Sequence, residues 1–85
     1  MITFSHKIQS TSGLHAMPCV NIVACVIHHK SSVRLQCNSQ EVDGTDPIKL
    51  MSLGGMKDDV LDFSIEGPDE KEVYETLLRI CHSVL

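Results

Sequence analysis

Residues 12–27 read SGLHAMPCVNIVACVI, from Ser12 to Ile27. Two regimes meet inside this stretch. Ser12 and Gly13 close a polar, turn-forming run, and His15 stands alone before the apolar residues begin. From Pro18 onward, Cys19, Ile22, Val23 and Val26 recur at the i, i+3, i+4, i+7 spacing of one helical face. Before it, Ile2, Phe4 and Ile8 alternate with Thr3, Ser5, Lys7 and Gln9, the period of a half-buried strand, with His6 on the inward phase. A strand, a Ser/Thr/Gly loop over 10–14 and then a helix therefore open the chain. The helix is expected to end near His28-His29-Lys30, where cationic groups suit the negative end of the helix dipole.

The same two periods place the remaining elements. Val33, Leu35 and Cys37 alternate with Arg34 and Gln36 as a second strand. Asn38-Ser39 is a two-residue turn into a short third strand over 40–42, which Asp43-Gly44 breaks. Asp46-Pro47 has the form of an N-cap followed by proline at the first helical position. A helix over about 47–53 then stops at Gly54-Gly55. Leu61, Phe63 and Ile65 alternate with Val60, Asp62, Ser64 and Glu66 as a fourth strand. Asp69 and Glu72 have the spacing of a capping box, and Val73, Leu77, Ile80, Cys81 and Val84 lie on one face of a last helix. The order β-α-β-β-α-β-α predicts an α+β fold, with helices covering one face of a mainly antiparallel sheet.

Eighty-five residues are expected to make one domain, residues 1–85, with a modest core. No apolar run approaches the ~20 residues that span a bilayer, and the alternating N-terminus lacks the form of a signal peptide. A soluble, cytoplasmic protein without membrane insertion is expected. Seven Lys and Arg against eleven acids, a net charge of −4 and no tryptophan argue against nucleic acid. Cys19, Cys25, Cys37 and Cys81 contain no C-x-x-C pair, and His28-His29 is not an i, i+4 helical pair. Buried thiols, rather than a metal site or a disulfide framework, are expected.

His15 stands at or just before a helix start, where the first backbone N–H groups have no internal partner and the dipole is positive. Such an end receives anions. Pro18 suits the first turn because its missing N–H would not be bonded there, and Gly13 lets the chain turn tightly into the helix. A neutral imidazole beside free amides is a nucleophile able to take a phosphoryl group, with the amides holding its oxygens. The simpler alternative is that His15 caps the helix or lies in a solvated loop.

Two motifs change the balance. Gly13-Leu14-His15-Ala16-Met17-Pro18 is similar to the G-[IL]-H-[AT]-R-P active-site segment of the histidine-containing phosphocarrier proteins, HPr, of the bacterial phosphotransferase system. Lys49-Leu50-Met51-Ser52-Leu53-Gly54 resembles the second-helix segment of the same family, and the likeness covers the entire chain. The resemblance implies an open-faced β-sandwich. It implies that His15 accepts a phosphoryl group from enzyme I on Nδ1, the amides of Ala16 and Met17 holding it, and passes it to the IIA domain of a sugar permease. It implies no metal and no organic cofactor, and a carrier rather than an enzyme.

The chain departs from the family in three places. Met17 stands where the family has arginine, so a charged fork of donors is replaced by a neutral thioether. Asp46 stands where Gram-positive members carry a regulatory serine; it offers no hydroxyl, and serves as a helix cap, a partial phosphoserine mimic, or both. Finally, Met17, Val20, Ala24 and Ile27 follow one another at helical spacing beside the core stripe. With Pro47, Ile48 and Met51 they correspond to the family's partner-docking face, here unusually apolar. The other expectation for Val20 and Ile27 is that neighbours cover them. Met17 and Asp46 together also suggest a second possibility, an HPr-like regulatory module that docks on a transcription factor, enzyme or permease without carrying phosphate.

Overall fold

A computed structural model describes residues 1–85. Four strands, β1 (Ile2–Lys7), β2 (Ser32–Cys37), β3 (Gln40–Asp43) and β4 (Val60–Glu66), form one sheet in the order β1-β4-β2-β3. Every pairing is antiparallel, with Ile2 opposite Ile65, Val33 opposite Ile65 and Leu35 opposite Val42. Three helices, α1 (Ala16–Ile27), α2 (Pro47–Ser52) and α3 (Glu70–Val84), complete the order β-α-β-β-α-β-α. This is the α+β fold expected from the two periods, and the open-faced sandwich that the resemblance implies.

Period-two alternation decides which face of the sheet is covered. Val33, Leu35 and Cys37 of β2 and Leu61, Phe63 and Ile65 of β4 are buried, while Ser32, Arg34, Gln36, Val60, Asp62 and Glu66 between them are exposed. Onto the buried face α1 lays Cys19, Ile22, Cys25 and Val26, α2 lays Leu50, and α3 lays Val73, Leu77 and Cys81. All three aromatic residues of the chain meet at one place. Phe4 stacks on Phe63 with ring centroids 4.5 Å apart, and Tyr74 meets Phe4 edge-on at 5.3 Å. This ties β1, β4 and α3 together.

All four cysteines are free and buried. Cys25, which the helical stripe read from sequence left out, belongs to the core with the others. Burial pushes the Cys19 thiol up to about 11 and the Cys81 thiol up to about 12, and raises those of Cys25 and Cys37. At neutral pH these groups are protonated small hydrophobes rather than thiolate nucleophiles.

Local signals met two different fates. Asn38 and Ser39 both take positive φ, 52° and 64°, as a two-residue hairpin with primed-turn geometry requires. Asp46 caps α2: its carboxylate accepts from the Ile48 N–H at 2.9 Å, with Pro47 opening the helix. α1 begins two residues before Pro18, which leaves the proline still in the first turn, where no N–H is needed. β3 runs one residue further than expected, through Asp43.

The capping box at Asp69 does not form. The Asp69 carboxylate instead accepts from the Ser31 hydroxyl and, at 2.9 Å, from the Lys30 N–H, stitching the α1–β2 loop to the start of α3. A tertiary pair of donors has outcompeted the local one. The Ser31 hydroxyl, then the Lys30 amide, hold the Asp69 carboxyl below its ordinary value of 3.8. Its stabilising contribution is therefore complete above that value and disappears as pH falls through the lower, folded-state value. In chelator-treated buffer, Asp69→Asn is expected to melt below the native chain at pH 7. The gap should stay constant down to about pH 5 and narrow below about pH 4. Melting curves between pH 7 and 3 measure this; a gap independent of pH would refute it.

Candidate functional site

The loop that carries His15 is built from glycine contacts and backbone bonds. Gly13 adopts φ +64° and donates its N–H to Ser10 O at 3.1 Å. Its α-carbon lies so close to the 54–59 loop that an added Cβ would stand 2.5 Å from Gly55 O. Leu14 donates its N–H to that same oxygen at 2.9 Å and buries its side chain in the core. The partner loop is itself pinned. Asn38 Nδ2 donates to Leu53 O at 3.2 Å, and the Asp59 carboxylate accepts from the Met56 N–H at 3.0 Å. His15 is thus placed from below by residues of two distant loops.

His15 is the N-cap of α1, in extended backbone with φ −95° and ψ −170°, and its side chain is half-buried. The ring makes no capping hydrogen bond, so the capping role open to it in the sequence is not used. The helical ladder begins with the Cys19 N–H on His15 O at 3.3 Å. Of the three residues before Cys19, Pro18 has no N–H. The amides of Ala16 and Met17 are therefore the two donors left at the helix start. No acidic residue stands in the first turn to compete for this end. The site offers an unengaged imidazole beside two backbone donors at the positive pole of a 12-residue helix.

The remaining candidate residues divide by exposure. Met17, Val20, Ala24, Ile27 and Ile48 are exposed, with Val20 54% and Ile27 61% accessible, so neighbours do not cover them. Pro47 and Met51 are half-buried, and Met51 packs against the core. α1 and α2 pack side by side, which brings the two sets onto one flank of the molecule. Asp46 is engaged as the cap of α2. Sequence reasoning missed Gly55 and Met56, the residues that abut Gly13. The Gly54-Gly55 pair marked only a helix stop, and nothing local in it announces a contact made from forty residues away.

An open-faced sandwich with a histidine at the start of its first helix is what the likeness of the two motifs implied. Residues 2–83 match the family PTS-HPr, described as the PTS HPr component phosphorylation site, and the chain belongs to this family. It is 32% identical over 74 residues to the phosphocarrier protein HPr of Buchnera aphidicola subsp. Schizaphis graminum, covering 87% of each chain. A multiphosphoryl transfer protein of Vibrio cholerae matches at 31% identity over 78 residues, which are 88% of this chain and 20% of that longer protein. Among solved structures, HPr-C-His from Thermoanaerobacter tengcongensis superposes with a TM-score of 0.89 at 28% identity, covering 98% of this chain and 93% of its own. No helix is long and apolar enough to cross a membrane.

Proposed function

We propose that the chain is a phosphocarrier that accepts a phosphoryl group from enzyme I on His15 and passes it to a sugar-specific IIA domain. The observation that carries this reading is the uncapped α1 start, with a free imidazole beside the Ala16 and Met17 amides. The neutral ring nitrogen forms a new N–P bond as phosphorus leaves its donor, and the two N–H groups and the helix dipole stabilise the charged oxygens. Transfer to the acceptor reverses the same steps. His15 turns over no substrate alone, so the chain is a relay member rather than an enzyme, and these roles call for no metal or organic cofactor. Position 46 has no hydroxyl, so phosphorylation there does not control this carrier; the Asp46 carboxylate holds α2 instead. The flank of exposed Met17, Val20, Ala24, Ile27 and Ile48, with half-buried Pro47 and Met51, is the docking face for enzyme I and the IIA domain.

Intact mass after incubation with phosphoenolpyruvate and the cognate enzyme I tests this directly. One acid-labile phosphoryl group is expected on the native chain and none on His15→Ala. A folded native chain that gains no mass would instead favour a regulatory module that docks without carrying phosphate. Met17→Arg is expected to speed transfer from phosphorylated enzyme I by at least about tenfold, since a charge-assisted bond to phosphate contributes ~1.5–3 kcal/mol. Single-turnover rates read this out, and an unchanged rate would show that the two amides alone suffice. Paired Val20→Ser and Ile27→Ser substitutions should weaken enzyme I binding without lowering the melting temperature; unchanged affinity would remove α1's outer face from the interface.

A further inference from the structure

At the opposite end of α1 from His15, the fold assembles a cluster that sequence spacing could not reveal. His29 follows the C-terminus of α1, Asp69 precedes α3, and Glu72 lies in the first turn of α3. One ligand atom from each, an imidazole nitrogen and two carboxylate oxygens, falls within 4.8 Å of the others. We propose that this α1–α3 corner binds a divalent transition-metal ion of the zinc class, held by His29 Nε2 and by the carboxylates of Asp69 and Glu72. The expectation of no metal rested on cysteine and histidine spacing along the chain. These three donors come from two elements far apart in sequence.

The orientation of His29 is the main support. Its Nδ1 lies 2.7 Å from Cys25 O, and a carbonyl can only accept, so Nδ1 carries the hydrogen. In the neutral ring Nε2 is then the lone-pair nitrogen, and it faces Glu72 Oε2 at 4.0 Å. An imidazole whose other nitrogen donates to a backbone carbonyl is the arrangement that orients metal-ligating histidines. Asp69 is held as firmly, by the Ser31 hydroxyl and the Lys30 N–H, and each carboxylate oxygen retains a lone pair beyond those bonds. Glu72 is the adjustable ligand, its side chain 72% exposed. Ligands at about 2.0–2.2 Å around a tetrahedral ion stand roughly 3.4 Å apart, so the three donors, now within 4.8 Å of one another, draw together on binding, with Glu72 the freest to move. One nitrogen and two carboxylate oxygens neutralise the ion's charge and leave a fourth position for water. Magnesium, which favours an octahedral oxygen shell, fits this set poorly.

Titration calorimetry of the full, chelator-treated chain with zinc chloride tests the site, using a phosphine reductant to keep the thiols reduced. One zinc per chain is expected, with magnesium giving no saturable heat. Affinity should fall at least about tenfold in both His29→Ala and Glu72→Gln. Glu72→Gln replaces an exposed group and guards against a folding defect in the first variant. Zinc should also raise the melting temperature of the native chain more than that of Glu72→Gln at the same concentration. His82→Ala is expected to bind as the native chain does. The absence of saturable heat would reduce the cluster to an ion pair only. Unchanged affinity in Glu72→Gln, or loss in His82→Ala, would overturn the ligand set.

Discussion

Gly13→Ala is expected to cost about 2–4 kcal/mol of folding stability and to slow phosphoryl acceptance at His15 well beyond that of a merely destabilised chain. Two costs combine. A left-handed backbone carrying a Cβ costs roughly 1–2 kcal/mol, and φ at this position is +64°. The new methyl would also stand 2.5 Å from Gly55 O and 3.2 Å from the Met56 α-carbon, both backbone atoms that no rotamer change relieves. Relief requires the loops to separate, which breaks the Leu14 N–H bond to Gly55 O, a further loss of roughly 1–3 kcal/mol if left unpaired. Gly54→Ala provides the control. Gly54 has nearly the same φ, +68°, yet nothing within 4 Å of an added Cβ, so about 1 kcal/mol is expected. Urea unfolding of both variants, with single-turnover transfer measured where each is fully folded, distinguishes the terms. Equal losses at the two positions would show that the contact with the Gly55 loop is dispensable.

Phe63→Ala should cost about 3–5 kcal/mol, the range for truncating a large buried aromatic side chain. Phe63 is 1% exposed, lies on the inner strand β4, and stacks with Phe4 across the β1–β4 pair at an interplanar angle of 3°. The ring stacked on it, Phe4, is held on the adjacent strand directly opposite, so filling the space would pull β1 out of register. Phe63→Leu, which retains most of the apolar volume, is expected to recover more than half of the loss. Denaturant midpoints give both numbers. Transfer rates under fully folded conditions should remain near native, because the Leu14 N–H bond and the Gly13 contact of the His15 loop run to Gly55 and Met56 rather than to β4. A rate loss equal to that of Gly13→Ala would show that the core, rather than the loop contact, sets the histidine's position.

How much of this was legible in the chain itself follows from the range of each interaction. Alternation at Val33-Leu35-Cys37 and Leu61-Phe63-Ile65, and the helical stripe from Cys19 to Val26, are local periodicities, and each produced its element. Asp46-Pro47 is likewise a local signal, and the cap forms. Asp69 had the same kind of signal and lost it to Ser31 and Lys30, which folding brings to it from the far end of α1. The contact of Gly13 with Gly55 and the gathering of His29, Asp69 and Glu72 were invisible for the same reason. Both are made of residues from separate elements, and no periodicity records which loops will touch. At His15 the motif marked the residue and the helix start. The resemblance had already pointed to the amides of Ala16 and Met17, and the ladder that begins at Cys19 leaves those two without a helical partner.

The strand order carries a consequence for how the chain is made. β1 leaves the ribosome before the other three strands, yet its neighbour in the sheet is β4: Ile2 pairs with Ile65 and Lys7 with Val60. At about 5–20 residues per second, the opening strand waits several seconds for a partner. Throughout that interval Ile2, Phe4 and Ile8 are without the core that later covers them. The hairpin of β2 and β3, closed by Asn38-Ser39, can form early and wait. Insertion of β4 between β1 and β2 is then the event that completes the sheet, and such long-range pairing is intrinsically slow. A nascent chain halted before residue 60 would carry β1 without its partner strand, the species that a chaperone has to hold.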